Sequence, residues 1–353
     1  MSSYKIQLNL LLYVNRYLRH LFSPLTPLPD QLFTMNNLIV RILAVQEEAA
    51  HVISLKLAPA DSAQSLPPAE AGAHIDLHLS SDLIRSYSLC LSSDGKSYDI
   101  AVHRAPDSRG GSQYVHEKLR VGDELLISTP RNHFPLRAHE GPAILVAGGI
   151  GITPLHAMLV ARRLQRQETH LIYCARSRNF AAFMSSIAQH QGDGVTVHYH
   201  FDDEMGAPPD LLALLRPYGP TAHYYACGPA AMLDRFQAVC SELHYPLAYL
   251  ERFSASSVAT QPFRLAPYEV ELARSGVTLL ADPDVPLLDS LQAVGVFIPY
   301  SCQEGVCGSC ETRVLSGDID HRDSILTEEE KRLNGVMMPC VSHCKSGKLV
   351  LDL

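Results

Sequence analysis

The sequence predicts a multidomain protein in which a small antiparallel β-barrel precedes an α/β domain with a parallel sheet and a cysteine-rich C-terminal domain. Short β-type segments separated by turns run from Leu38 to Leu136, which is typical of a small barrel. From Ala143 to Phe253, apolar strands alternate with helical stretches, and this βαβ rhythm indicates a parallel sheet. Four spaced cysteines then follow a linker-like stretch.

Composition places the chain among ordinary globular proteins. It has 353 residues, 46% of them hydrophobic and 19% charged, enough for two or three domains with full cores. The net charge of −8 argues against general nucleic-acid binding. Five of the nine cysteines are scattered through apolar runs, so we expect free thiols and a cytoplasmic protein. These five are Cys90, Cys174, Cys227, Cys240 and Cys344.

We predict the following division: an N-terminal extension of unknown role at 1–35, the barrel at 36–137, the α/β domain at 138–253, a linker at 254–267 and the cysteine-rich domain at 268–353. The extension is apolar from Tyr4 to Phe22, but its longest apolar run, Leu10 to Val14, is too short to span a bilayer. We therefore expect no transmembrane segment. An extension that arises from a mis-set start codon and a membrane-surface helix both remain open.

Two motifs in the barrel segment suggest a bound phosphate. Arg85-Ser86-Tyr87-Ser88 combines a cation, an aromatic ring and a hydroxyl, which together can hold a phosphate and cover a flat heterocycle. The same letters also fit an ordinary strand with alternating side chains. Gly110-Gly111-Ser112 fits either a phosphate-facing turn or a simple hairpin loop.

The α/β segment carries two glycine turns, each after an apolar strand. Ala143–Ala147 leads into Gly148-Gly149-Ile150-Gly151-Ile152-Thr153-Pro154 and a helix. Glycines admit a pyrophosphate close to the backbone, and a helix N-terminus offers free N–H groups. A second strand, His223–Ala226, ends in Cys227-Gly228-Pro229. Two such turns at the carboxyl ends of strands predict a ligand crevice.

The cysteines Cys302, Cys307 and Cys310 have the spacing C-x4-C-x2-C, and Cys340 follows after a long interval. This is the plant-type ligand pattern for a [2Fe–2S] cluster. The alternatives are a structural zinc site and plain buried thiols. Zinc sites usually present paired C-x2-C units, and only one such unit is present.

Acidic residues are concentrated in the cysteine-rich domain. Residues 268–353 contain fourteen Asp and Glu but seven Lys and Arg, so nearly all of the net negative charge lies there. Either a solubility surface or a docking surface for a partner fits this excess.

The order of these motifs resembles the phthalate dioxygenase reductase family, the flavin and iron–sulfur reductases of two-component Rieske oxygenases. Vanillate demethylase and carnitine monooxygenase reductases are similar. The resemblance covers roughly Asn36 to Leu353 and rests on RSYS, GGIGITP, CGP and C-x4-C-x2-C in this order. It implies a Greek-key flavin barrel, a nicotinamide-binding α/β domain and an α+β, β-grasp ferredoxin domain.

The resemblance also implies site residues. Arg85, Tyr87, Ser88, Gly111, Ser112 and Phe253 would bind the flavin. Gly149, Gly151, Thr153, Cys227 and Gly228 would bind NAD. Cys302, Cys307, Cys310 and Cys340 would hold the cluster. A Ser is frequent in the family where Arg252 stands, so no role is assigned to Arg252.

The implied function is a monomeric reductase that passes electrons from NADH through FMN and [2Fe–2S] to a Rieske-type oxygenase. The protein would position the cofactors, and no acid–base residue is required. FMN is expected rather than FAD, and NADH rather than NADPH, although Arg176 and Arg178 follow a strand where a 2′-phosphate is read. A self-sufficient Rieske oxygenase is excluded because the chain lacks C-x-H. A redox sensor with the same cofactors remains the alternative.

Overall fold

The computed structural model describes residues 37–80, 83–91, 96–106, 108–255, 266–345 and 347–353. The predictions for residues 1–35 and for most of the linker, 256–265, lie outside this range. Across the described ranges, no helix is long and apolar enough to cross a membrane.

The strands are β1 Leu38–Ala49, β2 Val52–Pro59, β3 His74–Ser80, β4 Leu83–Leu91, β5 Tyr98–His103, β6 Glu124–Ile127, β7 Ala143–Gly148, β8 Thr169–Ala175, β9 Val195–Phe201, β10 His223–Cys227, β11 Ala248–Glu251, β12 Tyr268–Leu272, β13 Thr278–Ala281, β14 Thr312–Ser316, β15 Ile319–Asp320, β16 Val336–Met337, β17 His343–Cys344 and β18 Lys348–Leu351. The helices are α1 Gly111–Lys118, α2 Ile152–Leu164, α3 Met184–His190, α4 Asp202–Met205, α5 Leu211–Leu215, α6 Ala230–Glu242, α7 Leu287–Ala293 and α8 Glu328–Leu333.

The first six strands form a closed antiparallel barrel in the order β1-β2-β5-β4-β3-β6. Strand alternation sends Ile75 and Leu77 of β3 into the barrel core, while His74 and Asp76 share the opposite face. Strand β4 pairs with β3, and its residue Ser86 lies opposite Asp76. The polar face shared by β3 and β4 is buried against the cysteine-rich domain, which explains polar residues in the middle of a strand.

The α/β domain has a five-stranded parallel sheet in the order β11-β10-β7-β8-β9. Strand β7 is buried along its whole length, as expected for a central strand covered on both faces. Its carboxyl end meets the start of α2, where Pro154 occupies the first turn. Barrel residues Val52 and Phe134 join one core cluster of this domain, so the two domains share apolar packing.

The cysteine-rich domain has a mixed sheet in the order β13-β12-β18-β14-β16, with a small second sheet of β15 and β17. A hairpin turn at Arg274-Ser275-Gly276 joins β12 to β13. Helix α7 buries Leu287, Leu288 and Leu291 in the core of this domain. The segment 301–311, here called the cluster loop, runs from the end of this helix region to β14 and carries three of the four cysteines.

Candidate functional site

The four spaced cysteines come together as one group of sulfur atoms. The Sγ atoms of Cys310 and Cys340 lie 3.3 Å apart, and the Cys302 thiol interacts with those of Cys307 and Cys340. Backbone N–H groups of Glu304 and Val306 donate to Cys302 Sγ at 3.3 and 3.5 Å. Two pairs of thiols, together with backbone N–H groups that donate to the Cys302 sulfur, suit a [2Fe–2S] cluster, because cluster sulfurs accept such hydrogen bonds.

Glycine is required at two turns of the cluster loop, one against the barrel and one against the cysteine-rich domain itself. Gly308 has a φ of +72°, and a Cβ there would lie 2.9 Å from the His133 ring carbon Cδ2. Gly305 has a φ of +68° and lies against the backbone of Asp323. Both positions combine the left-handed region with close neighbours, which only glycine accommodates without strain.

A cavity of about 410 Å³ lies between the barrel, the α/β domain and the cluster loop. Its walls include all six residues predicted to bind the flavin: Arg85, Tyr87, Ser88, Gly111, Ser112 and Phe253. Cys302 and Cys307 of the cluster loop line the same cavity. A ligand in this space is therefore in reach of the cysteine group.

One end of the cavity is built to take an anion. Helix α1 begins at Gly111, so Gly110-Gly111-Ser112 opens a helix and is not a hairpin loop. A Cβ on Gly111 would lie 2.5 Å from Cγ of Arg85, so the missing side chain lets the Arg85 stem pass beside the first turn. A guanidinium beside free helix N–H groups is a favourable phosphate site.

Glu251 is a candidate site residue that was not predicted from the sequence, although it directly precedes Arg252 and Phe253. It ends β11 at the wall of the cavity, and the Ser88 hydroxyl donates to its Oε2 at 3.3 Å. Burial raises the pKa of Glu251 to about 8, with the Ser88 hydrogen bond opposing the rise. The carboxyl group is thus protonated near neutral pH and can donate a hydrogen bond into the cavity.

A larger cleft of about 1260 Å³ adjoins this cavity. Gly149 and Gly228, two of the five residues predicted to bind NAD, line it. The structure places Thr153 on the smaller cavity instead, while Gly151 and Cys227 line neither space. A Cβ on Gly151 would lie 2.6 Å from the Gly228 amide nitrogen, so Gly151 brings the two glycine turns together.

Charged side chains line the larger cleft. Arg176, Arg235 and Asp202 are among them. Arg178, which the sequence analysis paired with Arg176, does not line the cleft and instead pairs with Glu204 at 3.0 Å. Of the two arginines suggested for reading a 2′-phosphate, only Arg176 is therefore in position.

The barrel touches the cluster loop directly. His74 Nε2 lies 3.0 Å from the carbonyl oxygen of Cys307. Burial, reinforced by Arg131, lowers the pKa of His74 to about 4, so the ring is neutral and donates from Nε2. Arg109 forms a second link, an ion pair with Glu304 at 3.1 Å.

Both sites fit the groups that the sequence analysis predicts. The cysteines supply four soft sulfur ligands in one place, as an iron–sulfur cluster requires. The smaller cavity supplies a cationic phosphate site, the half-buried ring of Tyr87 and a protonated carboxyl group, which suit a phosphorylated flat heterocycle such as a flavin mononucleotide.

Comparison with known proteins agrees with this geometry. A family model for the 2Fe-2S iron-sulfur cluster binding domain matches residues 270–345. Phenoxybenzoate dioxygenase subunit beta of Ectopseudomonas oleovorans is 43% identical over 324 residues, which cover 91% of this chain and 98% of that protein.

Two solved structures are also similar over most of this chain. Phthalate dioxygenase reductase, described as a modular structure for electron transfer from pyridine nucleotides to [2Fe–2S], has 34% identity and a TM-score of 0.63, covering 90% of this chain and 98% of that one. An intact type IV self-sufficient cytochrome P450 monooxygenase has 32% identity and a TM-score of 0.82. The match covers 94% of this chain, but this chain spans only 43% of that larger protein.

The fold and the site define a modular iron–sulfur oxidoreductase that has two adjoining ligand spaces. The chain belongs to the phthalate dioxygenase reductase family, whose members are reductase components of oxygenase systems. The predicted family, the three-part fold class and the [2Fe–2S] domain are confirmed.

Proposed function

We propose that this protein takes electrons from NADH and passes them through FMN and a [2Fe–2S] cluster to an oxygenase. One observation carries the proposal: the larger cleft, the smaller cavity and the cluster loop adjoin one another in that order. Ile150 and Phe253 line both spaces, and Cys302 and Cys307 line the smaller one. A nucleotide, a flavin and a cluster placed in these sites would have no intervening domain between them.

The chain's own residues would bind and orient the cofactors. Arg85, Gly111 and Ser112 would hold the FMN phosphate, and Tyr87 and Ser88 would contact its ring. Gly149 and Gly228 would let the nucleotide come close to the protein backbone at the carboxyl ends of the parallel strands. When bound, FMN accepts a hydride and the cluster carries one electron at a time, so the pair converts two-electron into one-electron transfer.

Phe253 would control the approach of the nicotinamide to the flavin. It is 42% exposed and lies at the boundary between the cleft and the smaller cavity. An aromatic ring at that point can cover the flavin when no nucleotide is bound and move aside when one is. NADH rather than NADPH is proposed as the donor from the family resemblance, because the cleft itself carries charges of both signs, Asp202 together with Arg176 and Arg235.

A Rieske-type oxygenase is the proposed partner and a monomer the proposed state, both from the family resemblance. A haem oxygenase is a second candidate because the cytochrome P450 monooxygenase that matches 94% of this chain is self-sufficient. This chain spans only 43% of that protein, so a separate haem partner here would correspond to the part of it that this chain does not match. Reduction of each type of purified acceptor by the same reductase distinguishes the two candidates.

Selective loss of the cluster tests the order of the electron path. Cys340→Ser removes a cluster ligand that does not line the smaller cavity, and Cys344→Ser is a matched control at a buried cysteine outside the ligand set. In anaerobic stopped-flow measurements with NADH, Cys340→Ser should still bleach the flavin but lose the cluster signal and all transfer to the acceptor. Cys344→Ser should retain every step. Repeating the titration with NADPH tests the nucleotide preference.

The proposal fails under three outcomes. A wild-type protein that binds no flavin or no cluster contradicts it at once, and mass spectrometry of the released flavin distinguishes FMN from FAD. Loss of flavin reduction in a folded, flavin-loaded Cys340→Ser protein contradicts the separation of the two sites. Slow turnover with every electron acceptor favours the redox-sensor alternative.

A further inference from the structure

A buried polar network centred on Asp76 joins the barrel to the cluster loop. Asp76 Oδ2 accepts hydrogen bonds from Arg131 Nη2 at 2.7 Å and from the Ser309 hydroxyl at 3.0 Å. Asp76 Oδ1 accepts from the Ser86 hydroxyl at 2.6 Å. Asp76 is only 5% exposed and Ser309 only 8%. The carboxylate belongs to the barrel and Ser309 to the cluster loop, so the network crosses a domain boundary.

Ser309 also faces a cluster ligand. Its Oγ lies 3.2 Å from Cys307 Sγ and 3.0 Å from Asp76 Oδ2, and it accepts a hydrogen bond from Arg131 Nη2 at 3.0 Å. A serine hydroxyl carries one proton. It can therefore donate fully to the Asp76 carboxylate or to the Cys307 sulfur, but not to both.

This competition matters because sulfur hydrogen bonds and nearby charges set the reduction potential of an iron–sulfur cluster. The reduced cluster has one more negative charge than the oxidised cluster. A hydroxyl that donates to the Cys307 thiolate stabilises the reduced form and raises the potential. Asp76 acts in the opposite direction, since it draws the Ser309 proton away and adds a buried negative charge nearby.

We propose that Asp76 of the flavin barrel tunes the reduction potential of the cluster through the hydroxyl of Ser309. Asp76 and Ser309 are positioning residues, because neither ligates the cluster and Asp76 acts through Ser309. The proposal rests on the proposed function only in requiring a bound cluster. The reduction potential of the cluster would then depend on two domains, because the carboxylate that accepts the Ser309 hydrogen bond belongs to the barrel and not to the cluster loop.

Opposite substitutions test the proposal in the full-length holoprotein. Redox titrations followed by electron paramagnetic resonance give the cluster potential of wild type, Asp76→Asn and Ser309→Ala. Asp76→Asn should raise the potential and Ser309→Ala should lower it. Each change should alter the ratio of reduced to oxidised cluster at a fixed potential about tenfold, which is about 59 mV for one electron. Ser309→Thr keeps the hydroxyl and should restore the wild-type value.

Asp99→Asn is the matched control. It removes a carboxylate from the same barrel, at a position paired with Lys56 on the neighbouring strand β2, and should leave the potential unchanged. Iron and labile sulfide are measured first in every protein. A wild type without a cluster would overturn the proposed function together with this inference, whereas a normal cluster whose potential does not move would overturn the inference alone.

Shifts of the same sign in Asp76→Asn and Ser309→Ala would also overturn the proposal, since they would indicate general loosening of the loop. If Asp76→Asn does not fold, the comparison of Ser309→Ala with Ser309→Thr tests the proposal. Equal potentials in Ser309→Ala and Ser309→Thr then refute a role for the hydroxyl.

Discussion

Glu251 has a carboxyl group whose surroundings change its chemistry. It lies at the end of a parallel strand, where side chains commonly meet a ligand, and it accepts a hydrogen bond from the Ser88 hydroxyl. Burial raises its pKa to about 8, so the protonated form predominates near neutral pH. A protonated carboxyl group at the flavin cavity can donate to a flavin nitrogen or oxygen without placing negative charge beside an electron acceptor.

The raised pKa predicts a pH-dependent stability. The ordinary pKa of Glu251 in the unfolded chain is about 4.5, so between pH 4.5 and 8 the folded state retains a proton that the unfolded state releases. The stabilisation is present below pH 4.5 and is lost as the pH rises through 8. The melting temperature of wild type should therefore fall relative to that of Glu251→Gln between pH 5.5 and 8.5.

Glu329→Gln is the control for this measurement, since Glu329 is an exposed carboxylate in the first turn of α8. Its melting temperatures should follow those of wild type at every pH. If the melting temperature of Glu251→Gln depends on pH in the same way as that of wild type, Glu251 ionises normally and the prediction is wrong.

Helix α1 is the element on which the phosphate site depends. It starts at Gly111, has no acidic residue in its first turn and places Ser112 at the cavity. The helix dipole and free N–H groups favour an anion there, and Arg85 adds a full positive charge. The close passage of Arg85 beside Gly111 couples strand β4 to the helix.

Gly111→Ala should weaken FMN binding about tenfold, because the new Cβ would displace Arg85 from the phosphate and a charge-assisted hydrogen bond is worth roughly 1.5–3 kcal/mol. Fluorescence titration of the deflavinated protein gives the FMN dissociation constant. Gly335→Ala adds the same methyl group where nothing lies within 4 Å, and it should bind FMN normally. Unchanged affinity in Gly111→Ala would remove Arg85 and α1 from the proposed phosphate site.

The excess of acidic residues in the cysteine-rich domain affects how the whole molecule approaches a charged partner. Some of these carboxylates already have partners: Glu304 pairs with Arg109 of the barrel and Asp320 pairs with Arg322 at 2.7 Å. Their charges are partly neutralised within the chain. Glu311, next to the ligand Cys310, is exposed and is a better candidate for steering a basic partner.

Electron transfer to the oxygenase should slow as ionic strength rises from about 0.01 to 0.15 M, because salt screens exposed charges. Flavin reduction by NADH should change much less. Glu311→Lys should lower the association rate, whereas Glu70→Lys makes the same charge change at an exposed position on the barrel and should not. Equal salt dependence of both steps, or equal effects of both reversals, would favour the solubility surface.

The sequence by itself identified the four cysteines that contact one another, the order of the three folds and the six residues predicted for the flavin, all of which line the smaller cavity. Cys302, Cys307 and Cys310 could be predicted as cluster ligands because they lie close together in the chain, so the sequence alone shows their C-x4-C-x2-C spacing. Gly111 and Arg85 were found for a similar reason, since each belongs to a short local motif. Arg85 to Ser88 form part of strand β4, in agreement with the alternative of an ordinary strand, and the structure adds that Ser86 contacts Ser301 of the cluster loop.

Only the tertiary structure decided how the domains touch. In the structure Thr153 lines the smaller cavity, Arg178 pairs with Glu204 instead of lining the cleft, and burial raises the pKa of Glu251. Asp76 and Ser309 are separated by 233 residues, so no local pattern indicates that they share a proton. Burial, charge pairing and competition for one hydrogen bond depend on distances in space, and those are fixed when the chain has folded.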